Sequence, residues 1–250
     1  MRRESDIYGT TEMQAALLSM LKDFDAFCQK QRISYSLCGG TLLGAVRHKG
    51  FIPWDDDADI MVDRAEFAHL LEKMPLFKGY SVHRRLWVYR IQKADATGDT
   101  GSIPTIDILV MDHCPDTRIL RKCKIFMIWT LQGMMHRQLD LQEHSGFEKF
   151  LLITTYLLGK PFSDNFKFRL YDAVSKIGNK KPTQFVTSYN DLFRLIPVRY
   201  DSKVMQQIKT APFEDAMLPI TTYYHHYLTM QYGDYMTPPP MEARKPMHDL

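Results

Sequence analysis

Cysteine is scarce in this chain: four residues in 250, Cys28, Cys38, Cys114 and Cys123, none at C-x-x-C spacing. So few scattered thiols do not staple a fold of this length, and they point to free thiols in a reducing compartment. Long apolar runs are also missing. No stretch approaches the roughly 18 apolar residues of a spanning helix. The leading MRRESDIYGTTEMQ carries two arginines with no apolar stretch behind them, unlike a secretory signal. The expectation is a cytoplasmic protein, soluble or held peripherally at the inner membrane face. A strong charge of one sign is lacking too: a net +3 is too weak to argue for nucleic acid, and no such partner is expected. What remains, 45% hydrophobic and 24% charged, is ordinary globular composition, enough for one substantial core with a helical annex.

Periodicity organises the chain. Thr11 to Gln31 reads as an amphipathic helix, with Leu17, Leu18, Leu21, Phe24, Ala26 and Phe27 at helical spacing. Ile33 to Cys38 reads as a strand that Gly39-Gly40 breaks, and Thr41 to His48 as a short helix. Asp59 to Val62 is a second strand, and Arg64 to Lys73 a helix ended by Pro75. Tyr80 to Arg84, Leu86 to Gln92 and Thr105 to Asp112 read as strands, with a polar loop over Lys93 to Gly101. This predicts a compact α/β (α+β) domain over residues 1–116 and a helical segment over 117–180. Residues 181–250 then complete the same domain, with strands near Gln184 to Thr187 and Val204 to Phe213, a helix over Thr221 to Gln231 and an extended Pro-rich tail.

The chemistry concentrates in GGTLLGAVRHKGFIPWDDDADIMVD, Gly39 to Asp63. Asp55, Asp56, Asp57 and Asp59 lie within five positions, and ionising them together costs energy. A hard cation offsets that cost, since Mg²⁺ prefers carboxylate oxygen and leaves room for phosphate. Period-two geometry puts Asp57 and Asp59 on one strand face, with Asp56 pointing the other way. Asp107 is a lone acid in the apolar strand TIDILV; burying it is reasonable if that strand lies beside the first and completes the metal site. Gly39-Gly40-Thr41 opens a helix whose N–H groups and missing Cβ atoms suit a phosphate. A GG pair alone is usually a turn, and an acidic loop alone is usually solvated surface. An EF-hand is excluded, because neither Asp55 nor Asp57 is followed by Gly at loop position six and Glu at twelve. The combination is far more specific than its parts and describes a phosphoryl-transfer site.

Other clusters are blander. His113, Cys114, Cys123 and His136 fit no zinc spacing. His225-His226 reads as surface. Arg118, Arg121, Lys122 and Lys124 precede IFMIW, a basic-apolar helix that suits either an anionic membrane surface or the core. Trp54 is a candidate cation–π platform.

The Gly39 to Val62 stretch closely resembles the core motif of the LicD family, phosphocholine transferases related to fukutin within the nucleotidyltransferase superfamily. IDILVMD (Ile106 to Asp112), PFEDAMLPI (Pro212 to Ile220) and YLTMQYGDYMTPPP (Tyr227 to Pro240) resemble further family blocks. The resemblance implies a nucleotidyltransferase-like mixed sheet with flanking helices. It implies transfer of phosphocholine from CDP-choline to a sugar hydroxyl of a cell-surface glycan or its lipid-linked precursor, with release of CMP. Donors carrying ribitol or glycerol phosphate, true nucleotidyl transfer from an NTP, and a catalytically dead binding module are the alternatives. Carried over by position, Asp57, Asp59 and Asp107 match the catalytic acids that hold Mg²⁺ (or Mn²⁺). Gly39, Gly40 and Thr41, the basic loop Arg47, His48 and Lys49, and Tyr232 and Asp234 of YGDY match substrate-binding positions, and Trp54 joins them as the choline candidate. No catalytic role is expected of the tail pair Met247-His248.

Overall fold

The computed structural model describes residues 4–96, 103–137 and 146–246; part of the loop read over Lys93 to Gly101, and Met247-His248, lie outside them. The chain forms two compact units. One comprises residues 1–83, 89–111 and 203–250, the other residues 84–88 and 112–202.

The first unit is built on a mixed sheet. Its helices α1 (Ser5–Tyr8) and α2 (Thr11–Gln31) come first, then β1 (Ser36–Leu37), α3 (Gly39–Arg47), β2 (Ala58–Asp63) and α4 (Arg64–Lys73). Strands β3 (Tyr80–Arg85), β4 (Val88–Lys93) and β5 (Ile106–His113) follow. The sheet runs β3-β4-β5-β2-β1 and continues into two late strands, β9 (Ala216–Thr221) and β8 (Ile208–Phe213). β2 lies parallel to β5 and antiparallel to β1, while β1 pairs with β9 in parallel. The mixed α/β class expected from the sequence is what folds.

Helix α2 keeps the bounds its periodicity predicts. Leu17, Met20, Leu21, Phe24, Phe27 and Cys28 are buried, the 3–4 spacing of one helical face. Burying each large apolar side chain contributes roughly 2 kcal/mol. Ala26, expected on that face, is exposed instead, and Asp25 takes an inner position where it accepts from Tyr35 Oη at 2.9 Å. Helix α4 also matches, capped by Asp63, whose Oδ1 accepts from the Ala65 and Glu66 N–H groups.

Three expectations are corrected. The strand read over Ile33 to Cys38 pairs only at Ser36 and Leu37, and Gly39-Gly40 forms the first turn of α3 rather than a break before it. Val204 to Gln206, read as strand, belongs to α8 (Lys203–Gln206). Strand β9 was not anticipated, because Pro219 in its middle reads against a strand; it sits opposite Thr210 in the hairpin with β8. The last helix, α9, spans Tyr224–Tyr232.

The second unit holds α5 (Arg118–Met135), α6 (Gly146–Gly159), α7 (Asp164–Ser175) and the antiparallel pair β6 (Phe185–Ser188) and β7 (Tyr200–Asp201). Ile128, Leu131, Met135, Tyr171, Val174, Tyr189 and Ile196 form its core. Lys124, read with the basic edge of α5, is fully buried there. Its Nζ donates to Ser175 O at 2.8 Å and Ile177 O at 2.6 Å and lies 3.7 Å from the Tyr189 ring centroid. It is therefore unavailable to a membrane. Among the described residues no helix is long and apolar enough to cross one.

Candidate active site

The acids arrive on neighbouring strands. β2 and β5 run parallel with Asp59 directly opposite Asp107, so two carboxylate-bearing residues sit side by side on adjacent strands. β4 runs antiparallel on the far side of β5 and places Arg90 opposite Asp107. Arg90 Nη2 contacts Asp107 Oδ2 at 2.9 Å, and Thr105 Oγ1 lies 3.4 Å from Asp107 Oδ1. Asp107 is thus not a lone acid: an arginine three residues into the preceding strand compensates it. Sequence reading missed Arg90 because β4 carries no motif; strand pairing alone brings it there.

We expect Arg90→Met to destabilise the fold by roughly 2–4 kcal/mol, since a mostly buried carboxylate would lose its cation. Both side chains keep some exposure, 17% and 14%, which places the value below that of a fully buried pair. Urea unfolding measures it, and a change under about 0.5 kcal/mol would mean that solvent already screens the pair.

The two glycines of α3 explain themselves against these acids. Gly39 has φ +53°, and a Cβ there would lie 2.5 Å from Asp59 Oδ2. A Cβ on Gly40 would lie 2.7 Å from Asp55 Oδ2. The helix N-terminus, the positive end of its dipole, is therefore pressed against two carboxylates. Thr41 is fully buried and its Oγ1 accepts from the Asp59 N–H at 2.9 Å. Expected at the substrate, it holds the acid-bearing strand instead, because no surface of it reaches a cleft.

The acidic loop is clamped from below. Gln14 Nε2 of α2 donates to Ile52 O at 2.9 Å and to Asp55 O at 2.8 Å, and Thr10 Oγ1 donates to Pro53 O at 2.7 Å. Burial, then the charges of Asp57 and Asp56, holds the Asp55 carboxyl well above the usual range. Asp55 Oδ2 is buried with no hydrogen-bond partner. Asp56 is itself buried, and half-exposed Asp57 and Asp59 alternate with buried Ala58 and Ile60.

Among the described residues no three His, Cys, Asp or Glu side chains converge as a ready-made metal cage. The donor set nevertheless suits a hard dication. It is all carboxylate oxygen, and it includes an orphaned buried oxygen on Asp55.

Beside the acids lies a cleft of about 390 Å³, whose walls include Gly40, Arg47, Trp54, Asp55, Tyr232 and Asp234. Residues from opposite ends of the chain meet here. Arg47 Nη1 donates to Tyr235 O at 2.8 Å, tying α3 to the segment after α9. Burial lowers the pKa of Arg47, and nearby Arg244 lowers it further. His48 stands edge-on to Trp54, with burial and then Arg47 lowering its pKa. Lys49 is exposed and faces its own helix end, its Nζ donating to Val46 O at 3.1 Å, so it does not line the cleft. Asp234 accepts from Thr237 Oγ1 at 2.7 Å, and His225 bonds the Tyr235 hydroxyl.

A mixed sheet thus sets strand carboxylates against the Gly-Gly start of a helix, with a cleft that carries Arg47 alongside, an arrangement suited to a phosphoryl-transferring enzyme. Residues 32–148 match the family described as LicD/FKTN/FKRP, nucleotidyltransferase domain. The chain is also 28% identical to the lipopolysaccharide cholinephosphotransferase LicD of Haemophilus influenzae, over 95% of both chains. Shorter likenesses join it to two uncharacterised rickettsial proteins. One, from Rickettsia typhi, is 40% identical over 32% of this chain and 28% of its own; one from Rickettsia prowazekii is 44% identical over 27% and 26%.

Proposed function

We propose that the protein transfers phosphocholine from CDP-choline to a sugar hydroxyl of a cell-surface glycan or its lipid-linked precursor, and releases CMP. The observation that carries this reading is the pairing of Asp59 with Asp107 in a chain similar throughout its length to a lipopolysaccharide cholinephosphotransferase. The acceptor oxygen forms a bond to the phosphorus that bears choline. The bond from that phosphorus to the CMP oxygen breaks, and the hydroxyl proton passes to a base. Asp57, Asp59 and Asp107 would hold a Mg²⁺ or Mn²⁺ ion, with Asp55 beside them, and the ion when bound neutralises charge on the diphosphate and on departing CMP. Arg47 binds phosphate oxygens from the cleft wall. Asp107, steadied by Arg90, orients the acceptor hydroxyl.

Thermal unfolding with CDP-choline, CDP-ribitol, CDP-glycerol, CTP, ATP and CMP, with and without Mg²⁺, tests the reading. A ligand at a hundred times its Kd stabilises by about 2.7 kcal/mol. A Mg²⁺-dependent rise with CDP-choline, lost in Asp57→Ala, is expected. A rise confined to CDP-ribitol or CDP-glycerol would change the head group, and one confined to CTP or ATP would move the activity to nucleotidyl transfer.

A further inference from the structure

The walls of the cleft already hold a cation on an aromatic face. The Arg244 guanidinium carbon lies 5.1 Å from the Trp54 ring centroid, within the reach of a cation–π contact. Two aromatic neighbours meet Trp54 at steep angles. Tyr8 lies 5.7 Å away at 62° and His48 6.3 Å away at 87°. Neither ring lies flat on the indole, and the Arg244 guanidinium stands over its face. Arg244 reaches it from the Pro-rich segment after α9, where Nε donates to Pro239 O at 2.9 Å and the backbone N–H to Met241 O at 3.1 Å. Ala243 and Lys245 on either side line the same cleft.

We infer that the Trp54 face, framed by Tyr8 and His48, is the subsite for the quaternary ammonium head of the donor, and that Arg244 occupies it as a placeholder in the free protein. The inference rests on the proposed phosphocholine transfer. A trimethylammonium group has no N–H to donate, so an aromatic face recognises it better than a carboxylate does. The neighbouring residue, Asp55, belongs to the acidic loop, and Gly40 of the helix N-terminus borders the same cleft. One cleft thus offers an aromatic cation site beside the diphosphate-binding end. The placeholder is weakly held. Its hydrogen bonds run to its own segment, and like charge on Arg47 opposes it. Arg244 fills the subsite until the donor displaces it.

Steady-state kinetics of the full-length protein with CDP-choline and CDP-ethanolamine tests both halves. In wild type, CDP-choline is preferred. Arg244→Ala is expected to lower KM for CDP-choline about threefold to tenfold with kcat unchanged, as a competitor worth roughly 1 kcal/mol is removed. Trp54→Leu is expected to raise that KM by about tenfold or more and to erase the preference over CDP-ethanolamine, while Trp54→Phe keeps most of it. A cooperative thermal transition in all three, near that of wild type, shows that the variants fold. If Trp54→Leu keeps the preference, the subsite is elsewhere. If Arg244→Ala leaves KM unaltered, Arg244 is no placeholder. If wild type neither binds nor turns over CDP-choline, the proposed function fails and this assignment with it.

Discussion

Asp59→Asn is expected to cut CMP release from CDP-choline a thousandfold or more, while the protein stays folded. Removing a carboxylate that holds a catalytic ion costs several kcal/mol of transition-state stabilisation. The backbone of Asp59 is fixed without its side chain: its N–H donates to Thr41 Oγ1 and its carbonyl accepts from Cys38 N at 3.1 Å. Asparagine matches the volume, fits the space that Gly39 leaves, and removes one negative charge from a crowded set. Stability is therefore expected to hold or rise slightly. Asp107→Asn is a less clean experiment, since it also strips Arg90 of its partner. Turnover, Mn²⁺ affinity read by quenching of tryptophan fluorescence, and thermal midpoint are measured together. Turnover within tenfold of wild type at unaltered Mn²⁺ affinity would remove Asp59 from the ion-binding set.

Gly39→Ala is expected to damage both fold and activity. A left-handed backbone costs a non-glycine residue roughly 1–2 kcal/mol, and at Gly39 the new Cβ would also press on Asp59 Oδ2 at 2.5 Å. Together these are expected to destabilise by about 2–4 kcal/mol, lowering Tm by roughly 5–15 °C. Turnover should fall about a hundredfold, because displacing a reacting group by about 1 Å is enough for that. Gly9→Ala is the control. Gly9 shares a positive φ of 73°, but nothing lies within 4 Å of its Cβ position, so only the backbone cost remains. If the two variants behaved alike, the tight approach between helix and acid would carry no functional weight.

Local signals in the sequence were strong where one physical cause dominated. The apolar face of α2 and the capping Asp63 of α4 fix those helices to the residue. A carboxylate inside an apolar strand implied a neighbouring strand with its own acid, and Asp107 stands opposite Asp59. What stayed hidden depends on pairing across the chain. Arg90 is one of several arginines until β4 is laid against β5. Asp55 looks like its neighbours until Gly40 is found against it. Gln14 reads as an inner turn of an amphipathic helix, yet it is the clamp on the acidic loop. Lys124 reads equally as a membrane-surface charge or a core-facing one, because only tertiary structure supplies the two carbonyls that bury it.

The place of β1 has a consequence for how the protein comes into being. Its two residues lie between β2, encoded close by, and β9, encoded near the far end of the chain. Pairings at such separation carry a large loop-closure cost and raise contact order, which slows folding. Both acid-bearing strands lie in the first half of the sequence, and until β9 follows, the edge of β1 beside Leu37 has no parallel partner. The wall of the cleft that carries Tyr232 and Tyr235 comes later in the chain than both acid-bearing strands and helices α5 to α7. A chain stalled before Tyr232 would therefore hold the acids yet lack the cleft wall that Tyr232, Asp234 and Tyr235 supply.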